Sequence, residues 1–160
     1  MTEAESKQKT EPRPEPVDRI LTTRHEVTIN GEIIAYNATC GTLILKEESE
    51  KSGEAAGESE GEKARASIFF TAYTREGISD PATRPITFAF NGGPGSSSVW
   101  LHLGALGPRR VWLGEDGLTP PAPPFHLVDV TDLVFIDPVS TGFSRPVVGE
   151  KAKPFHDFKK

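Results

Sequence analysis

The sequence has 160 residues, of which 36% are hydrophobic, so it is long enough for one domain with a modest core. Its formal net charge is −5, and an acidic balance argues against a surface that binds nucleic acid. The single cysteine, Cys40, excludes an intrachain disulfide and favours a reducing compartment. The polar N-terminus has no secretory signal pattern, and no apolar run reaches transmembrane length. We therefore expect a cytoplasmic protein with no membrane partner.

The N-terminal part predicts an arm followed by a β-hairpin. Residues 1–19 are charged and rich in proline, which is typical of a disordered arm with polyproline character. Residues 22–29 alternate as in a strand, and Asn30-Gly31 is a strong hairpin-turn signal because both residues tolerate positive φ. Residues 32–45 then supply one return strand, or two strands divided at Gly41.

An acidic segment interrupts this strand-rich region. Between Lys46 and Arg65 there are seven acidic and four basic side chains and no large apolar one. Such a composition cannot bury surface, so residues 46–66 are predicted to form a mobile acidic loop. Strand character resumes at Ser67–Thr74, so the loop is expected to join two strands of a hairpin. A tolerated insertion at a loop tip is favoured over an interaction tail.

The central stretch, from Pro85 to Leu106, predicts a strand, a glycine turn and a helix. Residues 85–90 have a buried-strand pattern, residues 91–95 form a tight turn, and the serines that follow offer N-cap hydroxyls to a helix. This arrangement directs backbone N–H groups at an anion. On the helix, Trp100 and Leu103 are expected in the core.

The remaining residues predict short elements and loops. Residues 109–113 favour a short strand and residues 114–124 a Pro-rich loop. Leu133–Ile136 is a continuous apolar run, which is typical of a strand buried on both faces. Residues 138–149 read as a loop, and Pro154 could begin a helix.

Three motifs in order resemble those of one known family. Asn91–Ser98, NGGPGSSS, resembles the NGGPG-x-SS motif of the serine carboxypeptidases (peptidase S10), Leu106–Pro108 resembles their LGP turn, and Leu133–Ser144 resembles their LVFID-QPVG-x-GFS strand and loop. The resemblance implies an α/β fold, the N-terminal part of an α/β-hydrolase. In it, early antiparallel strands lead into a central, mostly parallel sheet, and residues 20–160 form an incomplete domain.

The resemblance also implies roles for the glycine turn. The N–H of Gly93 would be an oxyanion-hole donor, and such donors stabilise the intermediate of acyl transfer. Asn91 and the N–H of Gly92 would hold the substrate's terminal carboxylate. The alternative is that the glycines only make a sharp turn that Asn91 caps. The last motif departs from the family at Ser140, where glycine is usual, and lacks one residue after Asp137.

No catalytic triad is predicted in the chain. No G-x-S-x-G nucleophile elbow of this fold is predicted in the sequence, because Ser97, Ser140 and Ser144 each lack one of its two glycines. Ser97, Asp137 and His156 run in the order of such a triad, but Ser97 lacks the second glycine of an elbow. The histidine spacing gives no metal site, and no cofactor is expected. The chain as given is therefore expected to be inert, with its nucleophile, acid and base elsewhere.

The predicted function is that of a serine-type carboxypeptidase, which releases C-terminal residues from peptides with a free C-terminus. One alternative is a truncated, non-catalytic fragment or binding module that acts through its strand edge or acidic loop. A further alternative is an acyltransferase or esterase, because one scaffold hosts several acceptors.

Overall fold

A computed structural model of the chain describes residues 15–50, 59–92, 95–111 and 126–156. Its described strands form one sheet in the order β1-β2-β3-β5-β4, with β6 beside β3. Their bounds are Arg19–Ile29 (β1), Glu32–Glu50 (β2), Ser59–Arg75 (β3), Ile86–Ala89 (β4), Asp132–Ile136 (β5) and Arg145–Pro146 (β6).

The first hairpin is the one that the sequence predicts. Asn30 and Gly31 have φ of 51° and 86°, the left-handed values that a two-residue hairpin turn requires. β2 then continues as one strand through Gly41, where β1 lies close. A Cβ on Gly41 would be 1.9 Å from the carbonyl oxygen of Arg19, so glycine permits the approach.

The acidic segment is less of a loop than its composition suggests. Residues 46–50 belong to β2 and residues 59–66 to β3, so the predicted loop over residues 46–66 is wrong for these two parts. Residues 51–58 lie outside the described residues. Cross-strand pairing extends both strands: Glu48 lies opposite Glu62, and Lys46 pairs with Glu62 at 3.5 Å. Of the predicted arm, residues 1–14 are not described and Arg19 already belongs to β1.

The sheet is mixed. β1 pairs with β2, β2 with β3 and β3 with β5, and all three pairs are antiparallel. β4 runs parallel to β5. The expected early antiparallel strands are therefore present, but in the described part of the chain the parallel portion is the single pair β4–β5. The sheet there is mixed, with few helices, and not mostly parallel.

The core lies on one face of this sheet. Its buried members include Ile34, Tyr36, Tyr73, Val128, Leu133 and Phe135. In β5 the burial alternates, with Leu133 and Phe135 buried and Val134 half-buried. The prediction that this strand is buried on both faces is wrong, because the described residues form a covering layer over only one face.

Short helical turns cover the core face. An α-helical turn, Val99–Leu101, continues as a π-helical turn, His102–Leu106, and Leu101 and Leu106 pack on the core. Trp100 points outward and is 69% exposed, so its predicted place in the core is wrong. Two 3-10 turns, Leu127–Asp129 and Lys153–Phe155, follow.

Several remaining predictions concern short segments. Residues 109–111 are not in a strand, and the whole of the predicted Pro-rich loop, residues 114–124, lies outside the described residues. In the predicted loop 138–149, the short strand β6 pairs with β3 through Ser67 and Arg145. No helix in the described ranges is long and apolar enough to cross a membrane.

Arg84 joins the segment before β4 to the core. Its side chain is only 8% exposed, and its Nε donates to Asp132 at 2.7 Å. Its other nitrogens donate to the carbonyl oxygens of Val128 and Asp129. A guanidinium can make these bonds together because its donors are fixed in one plane. This contact fixes the start of β4 against β5.

Candidate functional site

The two longer motifs meet at one edge of the sheet. The glycine turn follows β4, which ends at Ala89, and the DPVSTGFS loop follows β5, which ends at Ile136. Because β4 and β5 are parallel, both loops leave from the carboxyl ends of their strands. Ligand sites of α/β sheets lie at these ends.

Asp137 ties the two loops together. This residue is only 4% exposed. Its Oδ1 accepts hydrogen bonds from the backbone N–H of Ser98 at 2.8 Å and from the hydroxyl of Ser97 at 2.9 Å. Its Oδ2 accepts the N–H of Phe143 at 3.0 Å. Three donors from two motifs thus hold one buried carboxylate, which is how a buried charge is made tolerable. Ser98 adds a further link, because its hydroxyl donates to the carbonyl of Ile136.

The DPVSTGFS loop closes tightly around this carboxylate. At Gly142, φ is +44° and a Cβ would lie 1.7 Å from Asp137 Oδ2, so only glycine fits. Ser144 is fully buried; its hydroxyl donates to the Asp137 carbonyl at 2.6 Å and accepts the N–H of Phe69 at 2.8 Å. These bonds fix the loop against β3.

Ser140 has the backbone that its position in the motif predicts. Its φ is +74°, which explains why glycine is usual there in the family that the sequence resembles. For a serine this conformation costs about 1 kcal/mol. The N–H of Ser140 donates to the Ser144 carbonyl at 3.1 Å, and this bond keeps the loop closed despite the strain.

The glycine turn is described at its two ends. Asn91 is half-buried; its side-chain amide donates to the hydroxyl of Ser96 at 2.6 Å, and its backbone N–H donates to that of Ser98 at 3.3 Å. Gly92 is exposed. Gly93, the predicted oxyanion donor, lies outside the described residues. These two bonds are the ones expected if Asn91 only caps a sharp turn. They use neither the side-chain oxygen of Asn91 nor its second amide hydrogen.

His102 lies beneath this site. Its ring stacks near Phe135, with centroids 4.8 Å apart, and its Nε2 is 2.5 Å from the hydroxyl of Tyr73. Burial lowers the pKa of His102, although the charge of Asp137 acts in the opposite direction. Burial raises the pKa of Tyr73 to about 12. The neutral forms of both groups are therefore favoured, and they share one hydrogen bond whose donor depends on the imidazole tautomer.

The residues that run in triad order do not form a triad. Ser97 donates directly to Asp137, with no imidazole between them. His156 is exposed, and its Nε2 lies 3.4 Å from the Val139 carbonyl. Among the described residues, no serine hydroxyl is hydrogen-bonded to a histidine ring. Within those same ranges, no group of three or more His, Cys, Asp or Glu side chains is placed to hold a metal ion.

Comparison with known proteins decides the family. The model of the serine carboxypeptidase family (peptidase S10) matches residues 50–154, more than half of the chain. The chain belongs to the serine carboxypeptidase family. Its relative Serine carboxypeptidase-like 36 of Arabidopsis thaliana is 39% identical over 80 residues, which are 49% of this chain and 16% of that protein. The match thus spans about one sixth of the length of its relative. The family model extends the resemblance beyond the motifs on both sides.

The expectation that the sequence has no G-x-S-x-G pattern is wrong, because Gly57–Gly61 reads GESEG. A nucleophile elbow is a sharp turn between a strand and a helix. Ser59 instead begins β3 and pairs with Glu50 of β2, and Gly61 continues the same strand. The pattern also precedes the glycine turn. The backbone at Ser59 is therefore that of a hairpin strand, which is not the context of an elbow.

Proposed function

We propose that the chain provides the oxyanion loop and the carboxylate-binding residues of a serine carboxypeptidase, within the N-terminal part of an α/β-hydrolase fold. The observation that supports this most is the junction of the two family motifs through Asp137, at the carboxyl edge of the parallel pair β4–β5. A buried tie of this kind fixes Ser97 and Ser98, which follow the glycine turn, and oxyanion donors act only when they are preorganised.

In this proposal each residue has a separate task. The N–H of Gly93 donates to the oxygen that becomes negative when a serine attacks the last peptide bond. The side chain of Asn91 and the N–H of Gly92 donate to the terminal carboxylate of the peptide. In this proposal the attacking serine and its histidine and aspartate are not supplied by this chain, and the chain alone binds the peptide without hydrolysing it.

The test is a binding titration on the 160-residue chain, with amide NMR shifts of Asn91 and Gly92 as the readout. The ligand is a blocked dipeptide with a free C-terminal carboxylate, and its control is the same dipeptide as a C-terminal amide. Charged hydrogen bonds favour the acid, so we expect the amide to bind at least about tenfold more weakly. Equal binding of acid and amide would remove the carboxylate site and leave the structural alternative.

Two variants refine the test. Asn91→Ala removes the amide donors and is expected to abolish the preference for the acid. Ser96→Ala is the matched control: it removes the hydroxyl that Asn91 engages at 2.6 Å, and it should preserve or strengthen binding because it releases an amide hydrogen. In parallel, a serine-directed phosphonate and the dipeptide acid are incubated with the wild-type chain. Labelling or turnover would show that the nucleophile is in this chain after all.

A further inference from the structure

Strand β1 lies at one end of the sheet and has a free side. Within the described ranges it pairs only with β2, in an unbroken register along all of its 11 residues. The hairpin turn has two residues, so Ile29 and Glu32 form a hydrogen-bonded pair, and every second residue of β1 before Ile29 also bonds to β2. The backbone N–H and C=O groups of the intervening residues point away from β2: Ile20, Thr22, Arg24, Glu26 and Thr28. Such an edge is a template on which a further strand can pair.

The edge carries few of the features that prevent such pairing. Natural edge strands are blocked by prolines, lysines, bulges or short length, and Arg19–Ile29 has no proline, no lysine and no bulge in its pairing with β2. The charged residues in its middle are Arg24 and Glu26, which are exposed and have opposite signs. What these two charges admit or exclude depends on the residues that lie opposite them.

The sequence of β1 is nearly symmetric about His25. Its four flanking pairs are matched in chemistry: Arg24 and Glu26 (opposite charges), Thr23 and Val27 (both β-branched), Thr22 and Thr28 (identical), Leu21 and Ile29 (both large and aliphatic). When two such strands run antiparallel about a centre at His25, each residue lies opposite the other member of its pair. Thr–Thr pairs and pairs of opposite charge stabilise a sheet when they lie directly opposite each other. The strand is therefore complementary to a second copy of itself.

The charges single out this register among those that the backbone allows. Because the outward N–H and C=O groups belong to even-numbered residues, these residues must pair with one another, as Arg24 does with Glu26 of the second copy. A register centred on Arg24 would place Arg24 opposite itself, and one centred on Glu26 would place Glu26 opposite itself. Like charges directly opposite are destabilising, so both shifted registers are disfavoured. Within one chain Arg24 uses Nε on Glu76 and Nη1 on Glu26, and the five donors of a guanidinium leave it able to bind a further carboxylate.

The same register covers an apolar side chain that a single chain leaves exposed. Leu21 shares the core face of β1 with Ile29, because the two are an even number of residues apart, yet Leu21 is 65% exposed and Ile29 only 7%. Opposite Ile29 of a second copy, Leu21 extends the apolar layer of that copy across the edge. The hydrophobic effect favours this burial.

We propose that β1 pairs antiparallel with β1 of a second copy of this chain, in the register centred on His25, to form a dimer with two-fold symmetry. A two-fold axis makes an interface of this kind self-complementary, with each contact present twice. β2 and β3 separate β1 from β4 and β5, which precede the two motif loops. The dimer is therefore independent of the proposed function.

Cysteine cross-linking tests the register directly, because a disulfide forms only between cysteines whose Cα atoms lie within about 7 Å of each other. All variants carry Cys40→Ser, which removes the native thiol. His25→Cys places the two cysteines opposite each other, with about 4.5 Å between Cα atoms. Thr23→Cys is the matched control on the same face: it lies opposite Val27, so its two copies are about 14 Å apart. A mixture of Thr23→Cys with Val27→Cys chains brings two cysteines opposite each other again.

After mild oxidation, the dimer band on a non-reducing gel should form at least about tenfold faster with His25→Cys than with Thr23→Cys. The mixture should cross-link where neither of its members does alone. Far-UV circular dichroism verifies that each variant keeps its sheet. Equal rates for His25→Cys and Thr23→Cys, or no cross-link with His25→Cys and none in the mixture, would overturn the proposal.

Sedimentation equilibrium measures the association without a cross-link. Glu26→Arg places arginines opposite each other and Arg24→Glu places glutamates opposite each other, so each variant alone should dimerise at least about tenfold more weakly than the wild-type chain. An equimolar mixture of the two variants pairs opposite charges again and should form a mixed dimer. A wild-type chain that remains monomeric, a dimer that neither variant weakens, or a mixture that stays monomeric would each overturn the proposal. The first of these would leave the edge of β1 to a different strand.

Discussion

At the scale of single residues, Asp137 and Gly142 depend on each other. The carboxylate of Asp137 accepts three hydrogen bonds, and the backbone of Gly142 passes so close that a Cβ would lie 1.7 Å from Oδ2 and 2.3 Å from Cγ. A clash with a flexible side-chain end is usually relieved by rotation. Here rotation would break the bonds from Ser97, Ser98 and Phe143, so the clash cannot be relieved cheaply.

Gly142→Ala is therefore expected to lower the free energy of unfolding by about 3 kcal/mol or more, from left-handed strain together with lost hydrogen bonds. Gly149→Ala is the matched control: Gly149 also has positive φ, +97°, but no atom lies within 4 Å of its Cβ position. Gly149→Ala should lower the free energy of unfolding only by the left-handed strain, about 1–2 kcal/mol. Urea unfolding of both variants measures the difference, and equal losses would show that Asp137 yields to the methyl group.

At this scale the sequence supplies candidates wherever a motif has local spacing. Asn91, Gly92 and Gly93 stand in such a motif, and their roles at the site stay predictions. The role of Asp137 was not readable, because it depends on a register between two loops that are about 40 positions apart in the chain and meet only through the pairing of β4 and β5.

At the scale of elements, the helical turns over the sheet are held by one buried polar contact. The hydroxyl of Tyr73 in β3 is hydrogen-bonded to His102 of the π-helical turn, and both rings pack near Phe135. The groups that face the imidazole are the Tyr73 phenol and, by its charge, the carboxylate of Asp137. Burial of the imidazole disfavours its charged form, so the neutral imidazole is the favoured state in this contact.

This contact predicts a pH dependence of stability. Because burial lowers the pKa of His102 in the folded chain, the unfolded chain binds more protons as the pH falls through about 6.5, and folding stability must fall with it. The pKa of His126 is lowered as well, chiefly by burial and then by Arg110, and contributes with the same sign. We expect a lower free energy of unfolding at pH 5.5 than at pH 7.5.

The measurement is urea unfolding at the two pH values, for the wild-type chain and for His102→Gln and His126→Gln. Each variant should reduce the difference between the two pH values, since it removes one titrating group. His156→Gln is the control, because His156 is exposed and should leave the difference unchanged. A difference that survives in the double variant His102→Gln with His126→Gln would assign the effect to other groups.

Sequence patterns predicted the elements unevenly. The hairpin at Asn30-Gly31 and the strand at Leu133–Ile136 follow from local signals, namely turn chemistry and an apolar run. The position of Trp100 was predicted wrongly because helical periodicity does not say which layer a short helical turn faces. The extension of β2 and β3 into the acidic segment was missed because pairing with a neighbouring strand overrides a poor β-propensity.

At the scale of the whole molecule, the β2–β3 hairpin has fewer neighbouring strands and less core packing the farther it extends from Tyr73. Near Tyr73 the strands are flanked by β1 and β5 and packed on the core. β1 ends its pairing at Thr42, and the short β6 reaches β3 only at Ala66 and Ser67. Beyond these points the segment after β6 still contacts β3: the N–H of Val147 donates to the Arg65 carbonyl at 3.0 Å, and Glu150 pairs with Lys63 at 2.8 Å and with Arg65 at 2.6 Å. Farther along the hairpin, the ion pair of Lys46 with Glu62 at 3.5 Å is largely exposed and contributes little.

This decrease predicts a gradient in amide hydrogen exchange. Local opening costs little free energy where few apolar contacts break, so amides of Glu48, Ser49 and Glu62 should exchange at least about a hundredfold faster than those of Ala72 and Tyr73. Exchange monitored by NMR at pH 7 measures the gradient along both strands. Lys46→Ala is the control variant: because its pair with Glu62 is exposed, the exchange rates should hardly change. Uniform protection along the hairpin would mean that its far end is held by contacts other than its own cross-strand pairs, and that the strand extension is as stable as the core of the sheet.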